Sequence, residues 1–496
     1  MSKRHRDSDI TGDATILKSG DRPMREDGEE ALEFEDEYED EFESEDEIFE
    51  AGVDGRPDAE REAEEKDEMS MDVDQGTFIP GRNKLSQGES LAPDLSAYEL
   101  LHQVDTNWPC LTMDICPDIY GDDRRTFPAT TYAVAGTQAA QGKEKENELI
   151  IMKLSSLSKM DKDGEASESD DSDDDDEYSD PILETKTIPL TSCTNRVRLY
   201  QDRQTNSIRF PNTLTASMME SGQVLIHDIT HHLNSFDTPG AVVTPQQLKP
   251  HVVKNHGKVE GYALDWSTLS PTARLLTGDT TGRIFFTNQA EGGAWKTDNT
   301  AFTGHTSSVE ELQWSTSEKN VFASGSADGT VKIWDIRSKA HKAAISVKVS
   351  ETDVNVLSWS KQTSHLLASG HDDGSWACWD LRQWKPQEKG ARVESPTPVA
   401  AFNFHKEQIT CLEWHPTDDS IVLVAAGDNT MTLWDLAVEL DDEESRDTAG
   451  VSDVPPQLLF VHYMDQVKEG HWHPQIPGLI MATGGSGFGV FKTISV

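Results

Sequence analysis

The most regular pattern of hydrophobic and polar positions lies between residues 304 and 335, in the sequence GHTSSVEELQWSTSEKNVFASGSADGTVKIWD. Apolar residues alternate with polar ones in three short runs, and Ser, Gly or Asp residues separate the runs. Such alternation with a period of two predicts β-strands. The dipeptide Asp328-Gly329 is a strong signal for a tight hairpin turn. We therefore predict three antiparallel strands joined by hairpins.

This pattern recurs along the chain. It returns in residues 354–380 and 409–435, and residues 259–288 carry a weaker copy with Phe286-Thr287 at the end instead of Trp-Asp. One small sheet cannot bury both of its faces, so the copies are expected to stack around a common axis. Strand patterns nearer the two chain ends raise our count to seven units. These further patterns lie in residues 127–157, 193–229 and 458–491.

The order Gly-His, then about thirty residues, then Trp-Asp resembles the WD-repeat family, whose repeats have this period. The resemblance implies an all-β fold, a seven-bladed WD40 β-propeller. It also implies that each repeat holds a buried polar network, which makes its residues part of the scaffold and not of a catalytic site. The residues that match this network are His305, Ser324, Asp328 and Trp334, with Asp373, Asp428 and His405 in later repeats.

A different pattern precedes the repeats. Leu95, Tyr98, Leu101 and Val104 follow one another at helical spacing after Pro93, which predicts an amphipathic helix over about residues 93–106. We expect this helix, with His102, to form a side groove against the propeller. A strand at residues 111–115 follows, and we expect it to lock the ring.

The segments YELLH, DTNWPCLT and TTYAVAGTQA are similar to the N-terminal region of two WD-repeat groups. One comprises the histone-binding proteins of chromatin complexes. The other comprises the glutamate-rich WD-repeat proteins, which the long acidic N-terminus favours. The second resemblance implies a ribosome biogenesis factor that chaperones a basic large-subunit ribosomal protein for pre-ribosomal (pre-60S) particles. It also implies residence in the nucleus and nucleolus, with some cytoplasmic pool.

Charge divides the chain into a propeller region, residues 91–496, and acidic attachments. The attachments are a tail at residues 1–90, an insert at 158–181 and a loop at 437–456. They account for most of the formal net charge of −46, and their composition predicts disorder. Aromatic residues interleave with the acids of the tail, which suits contact with a basic client. The candidate client-binding acids are Glu33, Asp36, Glu37, Asp40, Glu41, Glu43, Asp170, Asp171, Asp173, Asp174, Asp175 and Asp176.

Three serines in the acidic insert, Ser167, Ser169 and Ser172, are followed by acidic residues, which suits acid-directed kinases. Phosphorylation would add further negative charge. A strongly acidic chain repels nucleic acid phosphates, so direct nucleic acid binding is not expected. Since no apolar run approaches the roughly 20 residues that span a bilayer, we expect no membrane partner.

The sequence lacks the motifs of phosphate-binding loops, nucleophile elbows and zinc proteases. The pairs His231-His232 and His471/His473 lack cysteine or carboxylate partners at zinc spacing. We therefore predict no enzyme activity, cofactor or metal site. The five cysteines form no C-x-x-C motif, and we expect reduced thiols.

Binding is the better prospect, and three surfaces are candidates: the acidic segments, the side groove and the upper rim of the propeller. In WD-repeat proteins, residues near the start of each first strand face that rim. The candidate rim residues are Glu260, Glu310, Asp353, Asn355 and Asp372. Two alternative functions remain open: a histone-binding protein of chromatin complexes, and a substrate receptor of a cullin-type ubiquitin ligase. The second rests on WDIR and WDLR boxes, whose Arg337 and Arg382 would contact the ligase adaptor.

Overall fold

The computed structural model describes residues 93–160, 180–202, 209–386, 396–438 and 454–496. Within these ranges the strands form seven small antiparallel sheets, numbered blades 1 to 7 along the chain. The first strands of successive blades contact one another, and that of blade 7 contacts that of blade 1, so the sheets form a closed ring. The predicted seven-bladed propeller is confirmed.

In each blade, the strands are given from the axis outward. Blades 1 and 2 consist of Cys110–Cys116, Ala129–Thr137, Glu148–Leu157 and Ile182–Pro189, and of Thr194–Gln201, Thr213–Met219, Val224–Asp228 and His251–Val253. Blades 3 and 4 consist of Leu264–Trp266, Arg274–Gly278, Arg283–Gln289, Trp295–Thr297 and Phe302–Thr303, and of Val309–Trp314, Val321–Ser326, Thr330–Asp335 and Ile345–Lys348. Blades 5 and 6 consist of Val354–Trp359, Leu366–His371, Trp376–Asp380 and Ala400–Phe402, and of Ile409–Trp414, Ile421–Ala426, Thr430–Asp435 and Leu458–Tyr463. Blade 7 consists of Glu469–Trp472, Leu479–Thr483, Gly487–Thr493 and Tyr98–Asp105.

The described residues also contain one short α-helix, Thr230–Phe236, between the third and fourth strands of blade 2. Three 3₁₀ turns accompany it, at Leu95–Ala97, Glu144–Glu146 and Leu381–Gln383.

The predicted amphipathic helix at 93–106 is wrong. After the 3₁₀ turn, Tyr98–Asp105 is a strand that pairs antiparallel with Gly487–Thr493 and forms the outermost strand of blade 7. We call it the closing strand. Its apolar residues fit both a helical and an alternating pattern, and the free edge of blade 7 supplies hydrogen bonds that favour the strand. The strand that was expected to lock the ring, at residues 111–115, is instead the innermost strand of blade 1.

Each hairpin turn needs a residue that tolerates its backbone conformation. Gly329 in blade 4 has φ of +74°, and a Cβ atom there would lie 2.4 Å from the carbonyl oxygen of Ser350. Only glycine fits this turn without displacing the neighbouring chain. The Asp-Gly signal in the sequence therefore marks a real steric requirement.

The polar network that the WD-repeat resemblance implies is present in blade 4. The His305 ring lies 2.6 Å from the Ser324 hydroxyl and 3.0 Å from the Asp328 carboxylate, and the Trp334 indole donates to Ser324 at 2.8 Å. Burial alone would raise the pKa of Asp328, but hydrogen bonds from His305 and Thr330 lower it below its usual range. The network joins the loop before the blade to its second and third strands.

Blades 5 and 6 build similar networks from partly different residues. In blade 6, His405 lies 3.2 Å from Asp428, as the sequence suggested. In blade 5, which lacks a Gly-His pair, His371 at the end of the second strand takes that place. Its ring lies 2.9 Å from the hydroxyl of Ser369, which also accepts the Trp379 indole N–H at 2.8 Å.

The axis of the propeller is lined by polar side chains at one equivalent position in every blade, near the end of the first strand. These residues are Asp114, Arg198, Asp265, Gln313, Ser358, Glu413 and His471. In five blades this side chain accepts a hydrogen bond from a backbone N–H of the next blade. The blades are thus linked around the axis by polar contacts as well as by apolar packing.

Glu469 of blade 7 is the most heavily bonded side chain at this axis. Its carboxylate accepts from the Thr112 hydroxyl at 3.0 Å, from Arg196 at 2.8 Å and from Arg198 at 3.2 Å. Arg196 also lies 3.3 Å from Glu311 of blade 4. Burial alone would raise the pKa of Glu469, but the two arginines hold it well below its usual range. One carboxylate therefore connects blade 7 to blades 1 and 2.

Candidate functional site

The two faces of the propeller carry different loops. In every blade the first and third strands run in the same direction, so the loops from strand one to two and from strand three to four lie on one face. We call it the lower face. The loops from strand two to three and from one blade to the next lie on the other, upper face.

All three acidic segments join the fold on the lower face. The insert lies between the third and fourth strands of blade 1, and the loop at 437–456 lies between the corresponding strands of blade 6. The closing strand runs antiparallel to the third strand of blade 7, so it begins on the lower face and the tail precedes it there. Segments far apart in sequence therefore meet the propeller on three consecutive blades, 6, 7 and 1.

The chain entering the acidic insert lies along the outer edge of the closing strand. The backbone N–H of Met160 donates to the Glu99 carbonyl at 3.0 Å, and the His102 ring lies 3.0 Å from the Ser158 carbonyl. Lys159 forms an ion pair with Glu99, as does Lys492 at 2.7 Å. The base of the insert is thus attached to the strand on which the acidic tail ends.

These contacts enclose a shallow groove of about 430 Å³, lined by Glu99, Lys159, Met160 and Ile494. Burial raises the pKa of Glu99, but hydrogen bonds from Lys159 and Lys492 outweigh that effect and lower it. The groove therefore presents apolar side chains beside a paired carboxylate.

The four residues predicted to form a side groove lie on or beside the closing strand and mostly serve the fold. Tyr98 is buried, and its hydroxyl lies 2.8 Å from His462 of blade 6. Leu101 is half-buried, and His102 holds the base of the insert. Leu95, at 52% exposure, is the exception because it faces solvent.

The five predicted rim residues all lie on the upper face, on blades 3, 4 and 5. The Asn195 amide donates to the Glu260 carboxylate at 2.8 Å, and the Asn355 amide lies 3.5 Å from Asp372. Burial, followed by the nearby charge of Asp372, raises the pKa of Asp353. Burial also raises the pKa of Glu310. The upper rim is therefore an acidic arc on the face opposite to the attachment sites of the acidic segments.

The two arginines of the WDxR boxes lie on the lower face, on blades 4 and 5. Arg337 binds Asp335 of its own box through two nitrogens, at 2.9 and 2.6 Å, and Arg382 binds Asp380 at 2.9 and 2.7 Å. Both arginine side chains are exposed, at 67% and 68%. They do not bridge blades, so their outward faces are open to solvent.

The histidine pairs considered as metal ligands have structural partners or deep burial. His471 lies between Glu413 at 3.0 Å and Glu469 at 3.4 Å. His473 accepts backbone N–H groups from Gln475 and Ile476. In the part of the chain that the structure describes, no group of three or more metal-binding side chains is arranged around a common centre. The same part contains no helix long and apolar enough to cross a membrane.

Several predicted residues lie outside the described ranges. They are the tail acids Glu33, Asp36, Glu37, Asp40, Glu41 and Glu43, the insert acids Asp170, Asp171, Asp173, Asp174, Asp175 and Asp176, and the serines Ser167, Ser169 and Ser172. Their roles stay predictions.

Sequence reasoning missed the polar axis, although a signal for it exists. In blades 3 to 7 the axial residue directly precedes a tryptophan of the first strand, as in Asp265-Trp266 and His471-Trp472. A polar residue at one fixed place in successive repeats indicates a shared inward direction, which composition alone does not reveal.

Comparison with known proteins adds family evidence. Residues 88–158 match the family model of histone-binding protein RBBP4, a family that the description also assigns to the CAF1 complex, and residues 296–335 and 396–435 match the WD domain, G-beta repeat. The chain is 46% identical over 467 residues to ribosome assembly protein rrb1 of Schizosaccharomyces pombe, covering 93% of each chain.

Two further relatives are similar over most of their length. The chain is 39% identical over 447 residues to protein HEAT STRESS TOLERANT DWD 1 of Arabidopsis thaliana, covering 84% of this chain and 91% of the relative. It is 40% identical over 429 residues to glutamate-rich WD repeat-containing protein 1 of Dictyostelium discoideum, covering 83% and 84% respectively.

Proposed function

The chain belongs to the glutamate-rich WD-repeat family, and from this premise we propose that it acts in ribosome assembly as a non-enzymatic chaperone of a basic large-subunit ribosomal protein. The role in ribosome assembly is supported by the name of the relative that is 46% identical to this chain. The chaperone action and the delivery of the client to pre-60S particles are our own extension. They require residence in the nucleus and nucleolus, with some cytoplasmic pool.

The observation that carries the proposal is the meeting of three acidic segments on the lower face of blades 6, 7 and 1. A basic ribosomal protein bound there would face high negative charge on several sides. Its RNA-binding surface would be screened until ribosomal RNA, with its denser phosphate charge, displaces the carboxylates. A bound client cannot aggregate, because binding lowers the concentration of the free protein.

Phosphorylation of Ser167, Ser169 and Ser172 would strengthen this attraction, since each phosphate adds roughly −1.5 to −2 charges. Intact-mass measurement of the native protein tests this part of the proposal. Absence of phosphate from the peptide that contains these serines would remove it.

The proposal is tested by purifying the tagged full-length protein from its own cells at low salt and identifying what co-purifies by mass spectrometry. One large-subunit ribosomal protein in near-equal amount is the expected result. Deleting residues 26–74 should weaken its retention and reduce the salt dependence of binding, because exposed charges are screened within ~8 Å at physiological salt. Co-purification of histones with chromatin proteins, without any ribosomal protein, would refute the proposal.

A histone-binding role is the second candidate, and the match of residues 88–158 to the histone-binding family model favours it. Histones are also basic, so charge does not separate the two functions. Depletion does separate them: loss of large-subunit precursors supports the first, and unchanged precursors with altered chromatin support the second.

Docking to a ubiquitin-ligase adaptor through Arg337 and Arg382 is the third candidate. Both arginines are exposed on the lower face. Adaptor binding that is undiminished in the Arg337→Ala, Arg382→Ala double variant would eliminate it.

A further inference from the structure

The lower face of blades 7 and 1 carries an exposed apolar patch, which we define as Leu95, Ile119, Tyr120, Ile182 and Ile494. Their exposures are 52%, 36%, 52%, 52% and 58%. They are five of the nine large hydrophobic residues that are exposed within the described ranges. Isolated apolar residues on a surface are ordinary, but a group on two adjoining blades is typical of an interaction site.

Contacts tie the parts of the patch together. The backbone N–H of Ile494 donates to the Ala97 carbonyl at 3.2 Å, which sets Ile494 beside the turn that carries Leu95. Lys159 pairs with Glu99 of the closing strand, and its ammonium lies 5.0 Å from the centre of the Phe127 ring in blade 1. The strand edge of blade 7 and the first loop of blade 1 are therefore parts of one continuous surface.

The loop of blade 1 that carries Ile119 and Tyr120 is held in place from below blade 7. The Gln475 side chain accepts from the Asp118 backbone N–H at 2.6 Å and donates to the Gly121 carbonyl at 3.2 Å. The Arg124 guanidinium lies 5.9 Å from the Tyr120 ring and binds Asp118 at 2.6 Å. Ile119 and Tyr120 are thus presented on a fixed support, which lowers the entropy lost when a partner binds.

We propose that this patch is the docking site for an apolar segment of the basic client protein, an inference that rests on the proposed function. Two observations favour that occupant. The three acidic segments begin on the same face and on the same or adjoining blades, so a basic protein is drawn to this surface. The charges within the patch are largely paired with one another, as in Asp118 with Arg124, so the patch itself offers apolar contact.

The division of labour has a measurable consequence. Binding through the acidic segments weakens as salt rises, whereas apolar contact does not depend on charge screening. At high salt the patch should therefore supply most of the remaining affinity. Removing the patch should reduce affinity at every salt concentration, and removing an acidic segment should mainly reduce affinity at low salt.

The experiment uses full-length protein and, as probe, the proteins stripped from purified large ribosomal subunits. The test variant is Leu95→Ser, Tyr120→Ser, Ile494→Ser. Its matched control is Val242→Ser, Leu269→Ser, Val399→Ser, three exposed residues on the same face of blades 2, 3 and 5. In high salt, the test variant should bind the retained ribosomal protein at least about tenfold more weakly than wild type, and the control should match wild type.

Photo-crosslinking provides a second measurement that does not depend on a loss of binding. A photoreactive phenylalanine in place of Tyr120 should crosslink to the client, and the same group in place of Val242 should not. Equal binding by the test variant and wild type at high salt, or no crosslink from position 120, would overturn the docking site. Failure of wild type to retain any ribosomal protein would instead refute the proposed function.

Discussion

Tyr98 should be the main side-chain anchor of the closing strand, and its replacement should loosen the ring. The Tyr98 ring is 4% exposed and packs edge-on against Phe460 of blade 6 and Phe491 of blade 7. Its hydroxyl lies 2.8 Å from the buried Nδ1 of His462. One side chain on the outermost strand thus joins two blades.

Two substitutions separate the hydrogen bond from the packing. Tyr98→Phe leaves the His462 nitrogen buried without its partner, which should lower the free energy of unfolding by about 1–3 kcal/mol. Tyr98→Ala also removes the ring from its apolar site, and the total loss should reach about 3–5 kcal/mol. Tyr463→Phe is the matched control, because Tyr463 ends the same strand as His462 but is 44% exposed.

The assay is urea denaturation followed by tryptophan fluorescence, together with limited proteolysis after Pro93. The control should change the free energy of unfolding by less than about 0.5 kcal/mol. Proteolysis of the closing strand should accelerate in Tyr98→Ala. If Tyr98→Phe and Tyr463→Phe have the same stability, the Tyr98–His462 hydrogen bond does not anchor the strand.

Three further perturbations test other parts of the fold. Glu469→Ala should lower the free energy of unfolding by about 3–5 kcal/mol in calorimetry, because it leaves buried arginines without their carboxylate; a loss below about 1 kcal/mol contradicts this. Burial lowers the pKa of His462 to about 4, so the unfolded chain binds the proton more readily, and stability should fall as pH drops from about 6.5 towards 4; the pH slope should be shallower in His462→Gln, and an unchanged slope counts against it. Gly329→Ala should cost about 1–3 kcal/mol in thermal denaturation, whereas Gly142→Ala, with φ of +87° and open space around it, should cost less; equal costs would show that the contact with Ser350 is relaxed.

The repeating part of the fold could be predicted because its signals are local. Alternating apolar residues, the Asp328-Gly329 turn and the tryptophan spacing each depend on residues close in sequence. The closing strand could not be predicted in this way, since its partner lies almost 400 residues away. Leu95, Tyr98 and Leu101 fit a helical period locally, and only the free edge of blade 7 decides in favour of the strand.

The candidate site was predictable only in part. The rim residues lie on one face as expected, because their place in each repeat fixes their direction. The apolar patch had no sequence signal, since Ile119 and Tyr120 lie in a loop whose position depends on Gln475 in another blade. The shared face of the acidic segments follows from strand order, which the sequence does not display.

The closing strand also sets a condition on biosynthesis. Residues 98–105 are among the first parts of the propeller to be made, yet their partner Gly487–Thr493 is among the last. The first-made edge must wait for the final blade, and such distant pairing slows folding. A chain cut short before residue 487 lacks its clasp, so an incomplete translation product would carry the acidic tail without a closed ring beneath it. Completion of the chain is therefore a built-in checkpoint before the protein can hold a partner.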